Sequence, residues 1–495
     1  MEEKKEILLK SYSYKNKEFG GAKLLVFFLI IIAIIIATFF GIRSSAKANK
    51  IAFLEKNPPR LEMVSKFEYG IGTTPVTYKW HLSDDGAGLY EAHVVLYQKD
   101  RKFEITNPKL NGVKDYDLEI TIDAQKLGLQ AGAATLELKV FDKTFYFNGE
   151  RAEYKLLVDY SAPKLQVIST QHNAVQGGTQ LVIYEASDTN LSKTGIEVDN
   201  IFFEGFPASY LDSDFATTPK LHACFYSVPL DADFRTTRPK VVAYDIAHNK
   251  TTRKFYNKVA PVRYSTLKTQ ISNAFITKVI NPLISNNSER LKKKLDDDSS
   301  INNLEENFKL VNEILRKLDR FRISKLLNIT PRQQLFSGAF YKPAGMSRSE
   351  YGHLLDFIYN NNSLGTLRQL GYQFQSDLPN GELRAINSGT VFYTGELGIY
   401  GKFIIIEHGL GLFSIYSQLD KIFVTAGDEI QPQQTIATLG DSGFALNKGV
   451  QIEIWLENIP VNPREWWDPR WYNDHVTSKI REAKNSLGIN VTHRF

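Results

Sequence analysis

Between Gly389 and Trp467 the chain alternates short β-branched and aromatic runs with Gly, Asn and Asp turns. Thr390-Val391, Phe403 to Ile406, Ser414 to Leu419 and Val450 to Trp455 are the strand-forming runs, and Gly398, Gly409, Gly427-Asp428 and Gly449 punctuate them. Turn signals spaced roughly every eight to twelve residues mark an all-β unit. What such a unit does depends on the side chains that decorate its strands.

The chain around it has 495 residues with 43% apolar and 23% charged content, enough for about three domains that each bury a core. A formal charge of +5 spread along this length leaves no nucleic-acid footprint. Cys224 is the only cysteine, which excludes an intrachain disulfide. It reads as a small buried residue of a strand, with a reactive thiol as the alternative.

Leu24 to Ile42 is an uncharged apolar run of about nineteen residues, long enough at 1.5 Å per residue to cross a hydrocarbon core of about 30 Å. A cleaved signal peptide is the alternative, but the run is long for one and no small-x-small site follows. Lys4, Lys5, Lys10, Lys15, Lys17 and Lys23 outnumber Arg43, Lys47 and Lys50, which keeps the short tail in the cytoplasm. The expected order is a cytoplasmic tail (1–23), a transmembrane anchor (24–42) and a linker (43–59) that ends in Asn57-Pro58-Pro59, where no helix continues.

Residues 60–160 carry strand candidates at Val76 to Trp80, Tyr90 to Tyr97, Leu118 to Ile122, Thr135 to Phe141 and Glu153 to Val158. Leu136-Glu137-Leu138-Lys139-Val140 alternates as a half-buried strand does, and Asn148-Gly149 supplies a turn. Residues 161–257 repeat the texture: a strand runs into Asp142 in the first unit and into Asp245 in the second. Two β-sandwich spacers of immunoglobulin type fit, without the Cys-Trp-Cys pattern of antibody domains. A platform for carbohydrate or protein is the alternative, with no motif to carry it. From 258 to 330 the period changes, and Leu304, Phe308, Val311, Leu315, Leu318 and Phe321 fall on one helical stripe. A helical connector packed on a β-domain is expected, with a coiled-coil contact to another chain as the alternative. A terminal domain (331–474) and a polar tail (475–495) complete the chain.

The terminal domain resembles the LytM/lysostaphin-type zinc endopeptidases, which cut peptidoglycan cross-links. The likeness rests on Gly371-Tyr372, Ser414-Ile415-Tyr416, Gly449-Val450-Gln451-Ile452-Glu453-Ile454 and Val461-Asn462-Pro463 through Trp467-Asp468. In that family a His-x-x-x-Asp pair, a His two residues after a Tyr, and a His-x-His pair build the zinc site. The matching positions here are Gln369, Gln373, Gln418, Gly449 and Gln451. The resemblance implies a degenerate LytM/lysostaphin-like domain, and with the elements read above the expected fold is mainly β: a membrane-anchor helix, two immunoglobulin-like β-sandwiches, a helical segment and that C-terminal domain.

Zinc needs nitrogen, sulfur or carboxylate ligands, and a neutral amide neither binds it well nor exchanges a proton near neutral pH. No catalytic residue, metal site or cofactor is expected, and zinc is expected to be lost. Gln369, Gln373, Gln418, Gly449 and Gln451 are expected to line the former cleft, the amides hydrogen-bonded to one another, with Tyr372, Tyr416 and Glu453 as possible groove residues. His353 with Asp356 has the wrong spacing for the lost pair, and His408 reads as a residue of the Gly409 turn. Trp466 and Trp467 read as buried anchors, with exposed sugar stacking as the alternative. The resulting expectation is a single-pass protein of the cytoplasmic membrane with its bulk outside. It would bind peptidoglycan, a wall hydrolase or another envelope protein, as a scaffold or regulator of murein hydrolases. The rivals are an active zinc peptidase with atypical ligands and a purely structural envelope protein.

Overall fold

The computed structural model describes residues 21–47, 56–292, 304–327, 333–375 and 381–489. Residues 1–20 of the expected cytoplasmic tail and the expected domain boundary at Pro331 lie outside the described residues. The first helix, Gly21–Lys47, has 27 residues. Its described side chains run from Val26 to Gly41, and Phe27, Phe28, Ile34, Ile35, Phe39 and Phe40 among them are exposed. Among the described residues no helix is long and apolar enough to cross a membrane.

The chain divides into two compact units, Met1–Tyr160 and Ser161–Phe495. In the first, a three-stranded sheet faces a six-stranded one. Alternation drives the packing: Tyr78, Trp80 and Leu82 of one sheet and Leu136, Leu138 and Val140 of the other are buried in one core. In the second unit a β-sandwich of two four-stranded sheets occupies the N-terminal part. The two sandwiches share devices. Each pairs an early strand in parallel with a late one, Gly70 with Leu157 and His172 with Asn257. Each also ends a strand on a buried aspartate that closes a turn: Asp142 accepts from Thr144 and Asn148, and Asp245 from Ala247 and Asn249. Cys224 is fully buried in the strand Leu221–Ser227.

The second sandwich is more than a spacer, because its core is continuous with that of the terminal domain. Trp466 is fully buried, with its ring centroid 5.6 Å from Phe225 of the sandwich. Residues 475–495, expected as a tail, contain the helix Ser478–Ser486. Lys484 Nζ of that helix lies 2.7 Å from both Asp212 and Asp214 of the sandwich, and Lys479 Nζ donates to Thr170 O at 3.0 Å.

Two carboxylates bind the same junction. Glu457 accepts the Glu204 N–H at 2.8 Å, and Glu465 accepts the Thr179 N–H at 2.7 Å. Glu465 is half-buried as a residue, but its carboxylate is seated against the sandwich backbone at Gly178 and Thr179. Burial pushes each carboxyl up to about 8, against the opposing backbone hydrogen bond. The unfolded carboxyls ionise near ~4.3, so the folded state holds protons that the unfolded chain has lost, and stability falls as pH rises toward 8. Burial lowers His172 to about 3 and His408 to about 4, and these act in the opposite sense below about 6.5. The carboxyl effect therefore dominates between pH 6.5 and 8, with Lys479, which burial lowers to about 8, opposing it only toward the upper end. There the second unit is expected to lose stability, on the order of 3 kcal/mol for the pair, measured as a falling urea midpoint. The slope is expected to flatten in E457Q/E465Q, and a midpoint that rises or stays level across this window would contradict the assignment.

The segment expected as a helical connector begins with strands, Asn257–Ala260 and Thr266–Gln270, the latter pairing in parallel with Leu354–Tyr359. Its helices pack on the terminal domain: Phe308, Val311 and Leu315 share a core with Phe357, Phe413, Ile415 and Trp455. The expected stripe holds up to Leu315 and then shifts. A π-helical stretch, Leu310–Leu315, slows the helical phase, so the buried face continues through Arg316, Asp319 and Ile323 while Phe321 is 61% exposed.

Candidate functional site

The terminal sheet is antiparallel, with strands in the order Met346–Ser349, Tyr372–Gln375, Val450–Leu456, Leu412–Ile422, Gly401–Gly409 and Gly389–Leu397. Its register places Gln373 opposite Gln451 and Gln451 opposite Ser417, a polar row across three strands on one face. Glu453 lies two residues beyond Gln451 and joins that face. Gln418 reaches it by a different route. By alternation it would point away from its neighbour Ser417, but its backbone has φ +68°, the left-handed region that non-glycine residues seldom occupy.

These residues line a cleft of about 340 Å³ roofed by the helix Arg316–Leu326. Gln369, Gln373, Gln418, Gln451 and Glu453 all face it, as do Ser349, Ser417, Arg316, Arg320, Arg348 and Tyr400. Gln373 Nε2 donates to Gln418 Oε1 at 2.9 Å, and Gln418 Nε2 donates to Phe444 O at 3.0 Å. Gln451 Nε2 donates to Glu453 Oε1 at 2.5 Å, and Trp455 Nε1 donates to Glu453 Oε2 at 2.8 Å. Gln369 turns elsewhere, donating to Ser349 Oγ at 3.2 Å. The expected network of mutually bonded amides is thus one Gln–Gln pair, with Gln451 and Gln369 held by other groups.

Three expected positions do not line the cleft. Tyr372 and Tyr416 each stand opposite Ile452 in register, on the reverse face from Gln373 and Gln451. Tyr416 is fully buried, its hydroxyl accepting the Ile386 N–H at 3.1 Å, and Tyr372 packs against Trp467 with ring centroids 4.8 Å apart. Period-two alternation decides this: Tyr372 is next to the cleft residue Gln373 and Tyr416 is next to the cleft residue Ser417, so both tyrosines face the core. Gly449 is pinned in a backbone bridge with Gly440, and a Cβ there would lie 2.4 Å from Phe374 O.

The remaining imidazoles are occupied. His408 Nδ1 lies 2.7 Å from Ser388 O and Nε2 lies 2.7 Å from Ser414 Oγ; the residue closes a strand, and burial holds it neutral by lowering it to about 4. His353 Nδ1 accepts the Glu350 N–H at 3.2 Å, while Asp356 accepts from Ser363 at 2.5 Å. Among the described residues, no group of three or more His, Cys, Asp or Glu side chains close enough to hold a metal lies in the cleft. Its donor set is amides, hydroxyls, guanidinium groups and one carboxylate already engaged twice, which does not fit zinc. Chemically, the cleft offers hydrogen bonds and positive charge. Arg316, Arg320, Arg348, Tyr400 and Ser417 were absent from the sequence expectations. The only sequence signal for the first two is their i, i+4 spacing beside the apolar stripe.

The antiparallel sheet carries its polar cleft across the strands Tyr372–Gln375, Leu412–Ile422 and Val450–Leu456. Residues 369–463 match the profile of peptidase family M23, and the chain belongs to that family through this domain. The murein hydrolase activator EnvC of Escherichia coli K12 is 31% identical over 111 residues, 20% of this chain and 26% of that protein. The chain thus spans about a quarter of that relative's length. Lipoprotein NlpD of Yersinia enterocolitica is 34% identical over 87 residues, 17% of this chain and 89% of that sequence. The catalytic domain of lysostaphin from Staphylococcus simulans aligns with a TM-score of 0.21 and 19% identity, covering 25% of this chain and 92% of that one.

Proposed function

We propose that this chain is a membrane-anchored M23-family protein without zinc or peptidase activity, acting in the cell envelope as a wall-binding scaffold or regulator of murein hydrolases. One observation carries the reading. The cleft of an M23 domain is kept open, but Gln369, Gln373, Gln418 and Gln451 line it where the resemblance calls for metal-site residues. Amides positioned by Ser349, Phe444 and Glu453 serve recognition of a polar chain and supply neither a Lewis acid nor a proton-transfer group. The similarity to a murein hydrolase activator and to a lipoprotein supports a regulatory place beside wall enzymes.

The membrane anchor is part of the proposal. It rests on the sequence, in which no charge falls between Lys23 and Arg43, a run of about nineteen residues at 1.5 Å each. The larger number of lysines ahead of the run supports an orientation with the chain after residue 43 outside the cytoplasmic membrane.

The purified full chain in detergent is expected to co-sediment with peptidoglycan sacculi or to raise the activity of a murein hydrolase several-fold. Failure in both assays, with the chain folded by circular dichroism, would favour a purely structural envelope protein.

A further inference from the structure

The helix that roofs the cleft places two guanidinium groups into it, and their hydrogen bonds are incomplete. Arg316 is 6% exposed and lies with its guanidinium 4.6 Å from the centre of the Phe444 ring. Its Nε donates to Asn312 Oδ1 at 3.3 Å, but its Nη2 is buried with no acceptor among the described residues. One turn later, Arg320 Nη2 donates to Arg368 O at 3.4 Å, and its Nε is likewise buried without an acceptor. Across the cleft Tyr400 is 2% exposed, and its hydroxyl has no hydrogen-bond partner. All three side chains line the same cavity. Buried donors without acceptors are rare in folded proteins, and all three here belong to side chains that line one cavity.

The charges around them leave that demand unmet. Burial and then the neighbouring Arg320 push the Arg316 guanidinium down to about 9, so holding both charges there is costly. Asp319, the nearest acid on the same helix, is already committed: Oδ1 accepts from Arg290 at 2.5 Å and Oδ2 accepts the Ile399 N–H at 2.8 Å. Glu453 accepts from Gln451 and Trp455. Among the described residues neither Arg316 nor Arg320 has an ion pair.

We infer that this cleft binds the free C-terminal carboxylate of a short peptide, with Arg316, Arg320 and Tyr400 holding the carboxylate and the glutamine row facing the peptide amides. A planar carboxylate matches the guanidinium fork, and Glu453 in the same cavity disfavours a dianion such as phosphate. At about 340 Å³ the cavity is of ligand-pocket size. Leu267, Leu355 and Phe357 provide an apolar wall for small side chains. The inference stands on the cavity and its donors, so it is separable from sacculus binding and from regulation of a hydrolase.

Calorimetry on the intact chain in detergent tests it with N-acetyl-alanyl-alanine, its C-terminal amide, and inorganic phosphate. The free acid is expected to bind with at least tenfold higher affinity than the amide, and phosphate is expected not to displace it. Y400F and R320M, chosen because neither empties the core, are expected to weaken the free acid several-fold while leaving the amide unchanged. Equal binding of acid and amide, no binding of the acid by the folded chain, tighter binding of phosphate, or indifference to both substitutions would each overturn the assignment.

Discussion

Replacing Trp466 by alanine is expected to destabilise the second unit by roughly 3–5 kcal/mol, the range for emptying a large buried aromatic site. The indole is fully buried and meets Phe225 at 5.6 Å, Phe340 at 5.6 Å and Phe336 at 6.0 Å, so its removal opens a cavity where sandwich and terminal domain meet. The cavity cannot close readily, because Phe340 N–H is tied to the Trp466 carbonyl at 2.8 Å and Glu465 next to it is tied to Thr179. Urea unfolding followed by circular dichroism is expected to show one cooperative transition moved to lower denaturant, since the two domains share one core. Trp466 Nε1 has no hydrogen-bond partner among the described residues, so W466F is expected to recover most of the loss. Separate transitions for the second sandwich and the terminal domain, apart from that of the first unit, would contradict the shared core.

Putting histidines back at the matching positions is expected not to rebuild a metal site. In G449H the new Cβ would lie 2.4 Å from Phe374 O and 3.2 Å from Gln373 Nε2. The backbone cannot retreat, because Gly449 N–H donates to Gly440 O at 2.7 Å and Gly449 O accepts the Gly440 N–H at 3.1 Å. Overpacking of this kind destabilises by roughly 1–3 kcal/mol, so G449H/Q451H is expected to unfold earlier and to take up no zinc. Q451H alone is expected to be tolerated, because Gln451 is half-buried and faces the open cleft. A stable double variant that binds zinc stoichiometrically would show that the fold retains the metal geometry.

Much of this was legible from residue order. Alternation located the five strand candidates of the first sandwich, and matching at Gln369, Gln373, Gln418 and Gln451 located side chains that the structure brings into one cleft. Other features depend on physics that a local pattern does not carry. The edge strand Arg101–Thr106 is charged and half-exposed, so it lacks an alternating signal. Phe321 was misplaced because one π-helical stretch resets the phase of the stripe. Gln418 reaches the cleft through a backbone conformation that no spacing rule anticipates. Tyr372 was assigned to the groove by its sequence neighbourhood, although alternation with Gln373 already placed it on the reverse face, whereas Tyr416 shares the parity of Gln418 and is separated from it only by that backbone conformation. The final helix was readable: Val476, Ile480, Ala483 and Leu487 recur at three- and four-residue spacing, and all pack into the core. Arg316 and Arg320 became visible only once the helix was seen to roof the cleft.

The central claim is that this M23 domain keeps its cleft and has lost its metal chemistry. The direct measurement is zinc content of the purified full chain by mass spectrometry after equilibration with zinc, paired with cleavage of cross-linked muropeptides with and without chelator. The expected result is zinc far below one ion per chain and no chelator-sensitive cleavage. One zinc per chain with chelator-sensitive hydrolysis would contradict the claim and make the chain an active peptidase with atypical ligands.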